Sequence, residues 1–400
     1  MPNRLAIPTR SAKYKAFRLL AAMERAVHGR PATDPNTLRS LRNFLFLQTE
    51  SPLGTAVHAT PLFEALRRAM PDAHITVAAG PMVADVLRYN PFIDRCVVLP
   101  DPEENLKTAV LAVRKMYRAL PPGPVCIATT TGNQQPRLAL LALLAGRATR
   151  IGYTLALPLY SVALDFRAER PQIENNLDLL RALGHEPKPT EPRVFFSREE
   201  MATTARLLAP AQQDSQRARL AVVTQCSPQQ PKQWHAERFQ SVLRSVSAAT
   251  HTLPIFLGTQ SEAAAIESLR SPLQEPGISL AGKTESIPLL AAVLAQCDGL
   301  LTLDTGTLHV ARAVGLPGVV LAPAWQPPAE WLPIYHANYQ ILIGAPIAMP
   351  SPEYRMEEIS VDAVTQATQE MLEKFPASEQ TRQERLQNSL QEMRQPMECA

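Results

Sequence analysis

The 400-residue chain predicts an α/β protein of two domains, each a doubly wound parallel sheet. Three observations carry that expectation. Short apolar runs alternate with helix-period segments along almost the whole length. The chain is too long for one ordinary core. Gly299 to Pro323 reads as strand, Asp-Thr-Gly-Thr turn, helix, Gly-Leu-Pro stop and second strand, a unit suited to parallel sheets with ligands at strand ends.

Taken in order, residues 1–42 are a basic extension in which Lys13, Lys15, Arg18, Arg25 and Arg30 flank Tyr14, Phe17, Leu20, Ala21 and Val27. A helix there would be basic and amphipathic. It could touch a membrane surface or pack on its own domain, and the narrow apolar face favours packing. Asn43 to Thr49 is the first strand, Glu50 to Gly54 a turn and Thr55 to Met70 a helix. Strands follow at His74–Ala79, Arg95–Leu99 and Val125–Thr129, with helices at Pro81–Tyr89, Leu106–Leu120 and Gln135–Gly146 between and after them. A helix over Glu174–Leu183 stops at Gly184. After Pro187, Pro189 and Pro192 comes Arg193–Ser197, then a helix over Arg198–Ala209. The polar stretch Gln212 to Arg219 is the expected linker.

The second half repeats the alternation. Strands are expected at Leu220–Thr224, Pro254–Leu257, Ile278–Ala281, Leu300–Leu303, Gly318–Leu321 and Ile341–Ile343. Helices are expected at Ala236–Ala249, Glu262–Arg270, Ile287–Gln296, Leu308–Val314 and Val361–Phe375. The domains read as 43–211 and 212–350, with a cleft between them. Residues 351–400 are a helix and a polar, frayed tail.

Composition narrows the function classes. Apolar residues make up 46% and charged ones 19%, which marks a globular chain. Forty Lys and Arg against 37 Asp and Glu give a net charge of +3, no argument for nucleic acid. Five cysteines without Cys-x-x-Cys or zinc spacing predict buried free thiols, no metal and a reducing, cytoplasmic compartment. No apolar run reaches a membrane span, and no signal-peptide pattern opens the chain. With 16 glycines there is neither a Gly-x-Gly-x-x-Gly nor a Walker loop, so a dehydrogenase or P-loop enzyme is not expected.

Three loops could carry chemistry. One is Glu50 to Thr55 with His58 a turn later. Another is Gln225-Cys226-Ser227 followed by Lys232. The last is Asp304, Thr305, Gly306, Thr307 and His309. Lys232 can neutralise an anion, and helix N-termini near Thr55 and Thr307 can add N–H donors. Together they suit a diphosphate leaving group with a base for the nucleophile. Singly they are weak. Lys232 has the blander reading of a solvated lysine, Thr55 and Thr307 of helix caps, Asp304 of a turn cap, and His58 and His309 of structural histidines.

In that order the loops resemble glycosyltransferase family 9, the ADP-heptose:lipopolysaccharide heptosyltransferases. The carrying stretches are LFLQTESPLGTAVHATPLFEALRRAMPDAHITVAAG, GNQQPRLALLALLAGRATRIGY, SPQQPKQWHAERF and LAGKTESIPLLAAVLAQCDGLLTLDTGTLHVARAVGLPGVVL, with Asp-Thr-Gly-x-x-His the most specific motif. The resemblance implies a GT-B fold, an inverting reaction without metal, an acceptor-binding N-terminal domain and a donor-binding C-terminal domain. No cofactor is implied. The partners are a nucleotide sugar and a lipid-linked or polysaccharide glycan acceptor, with room for peripheral contact at the inner membrane. By resemblance Lys232 meets the donor phosphates, Ser227 is a donor-binding residue, and Asp304 to His309 surround the donor sugar and diphosphate. Glu262 meets the ribose, and Lys283 and Thr284 lie beside the adenine. The family often has Asp after Leu-Gly as the base. Here that position is Thr55, whose neutral hydroxyl cannot take a proton at pH 7. Glu50 and His58 are the nearest titratable substitutes, His58 preferred because it shares the helix face. A non-catalytic binding protein on the same fold and a sugar-nucleotide epimerase are the alternatives.

Overall fold

The structure, a computed structural model, describes residues 12–28, 33–49, 52–132, 136–153, 159–214, 217–226, 232–324, 327–346, 351, 353–391 and 398–399. The chain divides into two compact units. One comprises Met1–Pro192 with Met393–Ala400, and the other Arg193–Glu392.

The first unit opens with helices α1 (Ala12–His28) and α2 (Pro35–Ser40), then β1 (Asn43–Gln48), α3 (Leu53–Ala69), β2 (His74–Ala79), α4 (Pro81–Leu87) and β3 (Arg95–Val98). It continues with α5 (Leu106–Arg118), β4 (Val125–Thr129), α6 (Pro136–Ala145), β5 (Thr149–Tyr153), β6 (Val162–Leu164) and α7 (Gln172–Ala182). The second unit holds α8 (Arg198–Leu207), β7 (Ala218–Val223), α9 (Ala236–Thr250), β8 (Thr252–Phe256), α10 (Ala263–Arg270), β9 (Ile278–Ser279), α11 (Ile287–Ala295) and β10 (Gly299–Leu303). After these come α12 (Gly306–Ala313), β11 (Gly318–Ala322), α13 (Pro328–Trp331), β12 (Tyr339–Ile343), α14 (Val361–Lys374) and α15 (Glu379–Ser389), and β13 (Glu398–Cys399) returns to the first unit.

Both sheets are parallel. The first runs β13-β3-β2-β1-β4-β5-β6 and the second β12-β11-β10-β7-β8-β9. Each is therefore wound 3-2-1-4-5-6 in its own strands, the doubly wound order. The central strands β1, β4, β7, β10 and β11 are buried along their whole length, as a sheet covered on both faces requires. In the second unit α9 and α14 seal one face through Phe239, Val242, Val364 and Met371 against Leu220, Val222, Leu301 and Leu303.

Two expectations are corrected, and one strand goes unanticipated. The division falls after Pro192, not at 212–219. Arg193–Phe196 belongs to the second unit because Phe196 exchanges backbone hydrogen bonds with Ser389 and Gln391, and α8 packs on α11. The sequence gives no sign of β6, a three-residue edge strand. The tail is not frayed as far as Ser389. Its α15 has little apolar surface, yet it is anchored by Arg382, which is fully buried. Arg382 Nε and Nη2 donate to Asp298 Oδ1 and Oδ2 at 3.0 and 2.9 Å, and Arg385 Nε donates to the Ala295 carbonyl at 3.1 Å.

This anchor predicts a large effect. Arg382→Met leaves Asp298 buried without its cation, which costs about 3–5 kcal/mol. Urea unfolding of the full chain should show that loss, and Arg382→Met with Asp298→Asn should recover part of it. An unchanged midpoint would remove the pair from the stability of the second unit.

Candidate functional site

The second sheet reverses its winding between β7 and β10. Ligands of such sheets bind beyond the carboxyl ends of the strands at that reversal. The register sets Val223 beside Thr302, so the segments leaving both strands start side by side. Lys232 follows β7 and Asp304 follows β10. Lys232 Nζ donates to Asp304 Oδ2 at 2.6 Å. The two residues are 6% and 9% exposed. Neither bland reading holds, since the lysine is not solvated and the aspartate side chain holds a cation.

Asp304 leads straight into α12. Thr305 is its N-cap in position, but its side chain makes no capping bond. Thr305 Oγ1 is buried without a hydrogen-bond partner among the described residues. The first-turn N–H groups of α12 are thus uncapped by a side chain, which suits them to an anion. Gly306 and Thr307 occupy that first turn, so Thr307 is not a cap. At its far end α12 stops at Gly315, whose φ of +76° is a left-handed conformation that a side chain would strain.

His309 lies one turn into α12, 4% exposed, with its ring centroid 6.3 Å from that of Trp331. Burial pushes its pKa down to about 4. The Asp304 charge opposes the shift, and the Arg312 and Lys232 charges add to it. The imidazole is neutral at pH 7, so Lys232 and not His309 carries positive charge here.

The remaining donor-side candidates lie on the same edge. Glu262 is half-buried after β8, and its Oε2 accepts the Thr259 N–H at 2.7 Å, closing a reciprocal cap. After β9, Lys283 is exposed and Thr284 half-buried. The Gly282 N–H donates to the Gly258 carbonyl at 2.9 Å, which joins the two loops. The edge therefore presents Lys283 and Thr284, Glu262, Lys232 and Asp304 to His309 in the order of strands β9, β8, β7 and β10. Ser227 lies outside the described residues.

The other candidates belong to the first unit. Glu50 lies outside the described residues. α3 starts at Leu53 with Pro52 as its N-cap, so Thr55 sits inside the first turn and caps nothing. Thr55 is 2% exposed and packs on Gly132, where φ is +80° and an added Cβ would meet Thr55 Cγ2 at 2.4 Å. His58 is 1% exposed. Its carbonyl accepts from Asn176 Nδ2 at 3.1 Å, while Asn176 Oδ1 accepts the Thr131 N–H at 2.9 Å. These bonds tie α3, the loop after β4, and α7 together. The imidazole is walled in and offers no surface to an acceptor hydroxyl. Sequence reasoning missed Gln48 at the end of β1. It is fully buried, and its carboxamide atoms find no hydrogen-bond partner among the described residues. A Gln closing an apolar run was the available signal.

A profile of glycosyltransferase family 9 (heptosyltransferase) matches residues 133–356. No curated protein sequence matches. Among solved structures, the family 9 glycosyl transferase from Veillonella parvula is 20% identical with a TM-score of 0.73, covering 84% of this chain and 99% of that one. The E. coli ADP-heptose lps heptosyltransferase II is 17% identical with a TM-score of 0.65, covering 83% and 99%. The E. coli heptosyltransferase WaaC solved with ADP is 15% identical with a TM-score of 0.62, again covering 83% and 99%. These likenesses give the two-unit GT-B fold.

Burial of His309 has a pH consequence. Its folded pKa of about 4 lies below the ordinary 6.5, so the unfolded chain binds a proton that the folded one refuses. The contribution to stability is full above pH 6.5 and is lost as pH falls toward 4, on the order of 3 kcal/mol in all. Melting temperatures between pH 7 and pH 4 should fall less steeply for His309→Gln than for the parent. Parallel slopes would show that His309 does not titrate on unfolding.

Proposed function

Because the chain belongs to glycosyltransferase family 9, we propose that it transfers a sugar from an ADP-sugar to a glycan acceptor of the cell envelope, the sugar being a heptose or a relative of it. The observation that carries the proposal is the buried Lys232–Asp304 pair beside the uncapped start of α12, at the winding reversal of the second sheet. Strands are spaced about 4.8 Å apart, so four adjacent strand ends span about 14 Å. An extended ligand with a base at one end and a sugar at the other suits that edge. Lys283 and Thr284 would lie by the adenine, Glu262 by the ribose, Lys232 and the α12 amides by the diphosphate, and Asp304, Thr305 and His309 by the sugar. The E. coli relative solved with ADP supports an adenine nucleotide as donor.

The reaction we infer is a direct displacement. The acceptor oxygen attacks the anomeric carbon, its proton leaves to a base, and the bond to the diphosphate oxygen breaks with inversion. Charge grows on the departing diphosphate, where Lys232 and the uncapped N–H groups oppose it. Asp304 keeps the ammonium in place before the donor arrives, which lowers the entropy cost of binding. No metal enters this scheme.

A second reading has its own observation. Thr55 stands where the family often has an acid, and it is buried and neutral at pH 7. A protein that binds a nucleotide sugar without turning it over fits that feature.

Calorimetry with ADP and a transfer assay with ADP-heptose and a lipid-linked glycan acceptor test both readings. Lys232→Met should weaken ADP binding about 10- to 100-fold, the worth of one charge-assisted contact, with a melting curve to exclude lost fold. No ADP binding by the parent would sink both readings. Binding without transfer, with transfer gained in Thr55→Asp, would favour the second.

A further inference from the structure

The first 33 residues carry seven Lys or Arg and one Glu, a net +6, so the remainder of the chain is net −3 against the total of +3. The charge is segregated, and α1 lies in the basic segment. Its one acid, Glu24, is turned inward. Arg150 Nη1 and Nη2 donate to both carboxylate oxygens of Glu24 at 3.0 and 3.1 Å, and Arg150 itself is 3% exposed. Arg150 Nε is held in turn by the Leu159 carbonyl at 2.7 Å. Phe17 and Ala21 are buried against Ala139 and Leu159. These contacts fix the rotation of α1 on its unit.

The fixed rotation decides which face looks out. Leu19 and Met23 follow Phe17 and Ala21 by two residues, which turns them about 200° away. They are 63% and 58% exposed, and Leu20 beside them is 38% exposed. Seven large apolar side chains are exposed among the described residues, and these three share little more than one turn of α1. Lys15, Arg18 and Arg25 are exposed alongside them. No acid lies on this face.

We propose that the outer face of α1 is a docking surface for an anionic lipid bilayer, lying in the headgroup layer with Leu19 and Met23 inserted. The chemistry of the face selects that occupant. Apolar side chains flanked by Lys and Arg gain from hydrocarbon and phosphate together. A second copy would bring two basic faces together, which repels. Nucleic acid would gain nothing from Leu19 and Met23. No helix among the described residues is long and apolar enough to cross a membrane, so the helix lies on the surface. The remainder of the chain is net −3, so the net attraction comes from the basic segment that holds α1. The inference stands apart from the sugar chemistry.

Sedimentation of the full chain with vesicles tests it. Mixed phosphatidylglycerol and phosphatidylethanolamine vesicles should bind the protein about tenfold more tightly than phosphatidylcholine vesicles, and raised salt should weaken that binding. Leu19→Ser with Met23→Ser should lower partition about tenfold without moving the melting temperature, since both side chains are exposed. Arg18→Gln with Arg25→Gln should remove the lipid preference. Leu111→Ser, at an equally exposed leucine on α5, should change nothing. No vesicle binding, equal binding by the Leu19 and Met23 variant, or an equal loss with Leu111→Ser would overturn the proposal. So would a dimer of the parent that this variant converts to monomer in place of vesicle binding.

Discussion

The buried ion pair between Lys232 and Asp304 is the constraint around which the second unit is arranged. Two charges removed from water cost several kcal/mol each unless they are closely paired. The pair at 2.6 Å therefore fixes the loop after β7 against the loop after β10. Those are the two loops that flank the winding reversal. The pair leaves the start of α12 with uncapped amides and an ammonium a short distance away. An arriving anion meets charge and dipole already oriented, which is the arrangement electrostatic stabilisation of a leaving group requires.

The same physics recurs away from this edge for a different purpose. Arg382 grips Asp298 at the entrance to β10, and Arg150 grips Glu24 of α1. The polar helix α15 has too little apolar surface to dock by burial alone, and α1 has apolar residues on more than one face. A buried bidentate arginine adds little net stability over a hydrophobic contact, but it fixes orientation. For α15 that orientation seats a polar helix on the sheet's amino-terminal side. For α1 it turns Leu19 and Met23 outward. A rotation by half a turn would bury them and remove the helix's basic outer stripe.

Much of this was legible in the sequence. The strand and helix alternation gave the doubly wound order because the central strands are mostly apolar runs set between helix-period segments, and Asp304 to His309 stood out because its turn residues sit between a strand and a helix. The Lys232–Asp304 contact was not legible, because residues 72 apart meet only once the two strands are placed side by side. α15 was not legible because its anchor is an arginine whose partner lies 84 residues earlier. The unit boundary was misplaced for a related reason, since Arg193–Phe196 is claimed by pairing with the far end of the chain. The net charge of +3 also concealed its own distribution.

Thr55 shows how far backbone and side chain can part company. The first turn of α3, the left-handed Gly132 beside it and the Asn176 bonds that brace it form a well-tied local structure. None of those contacts depends on an ionisable group at residue 55. A methyl group fills the space against Gly132, and a hydroxyl can orient an acceptor but cannot take its proton. His58 is enclosed by the same bracing. An acid at residue 55 would be buried too, and burial would lift its pKa toward neutrality, the range in which a general base works best. The packing of this corner is thus compatible with catalysis while the residue in it is not a base. Under the proposed function the edge of the second sheet would hold a nucleotide sugar irrespective of what residue 55 is, so the distinction between transferring a sugar and only binding it would fall on the first unit.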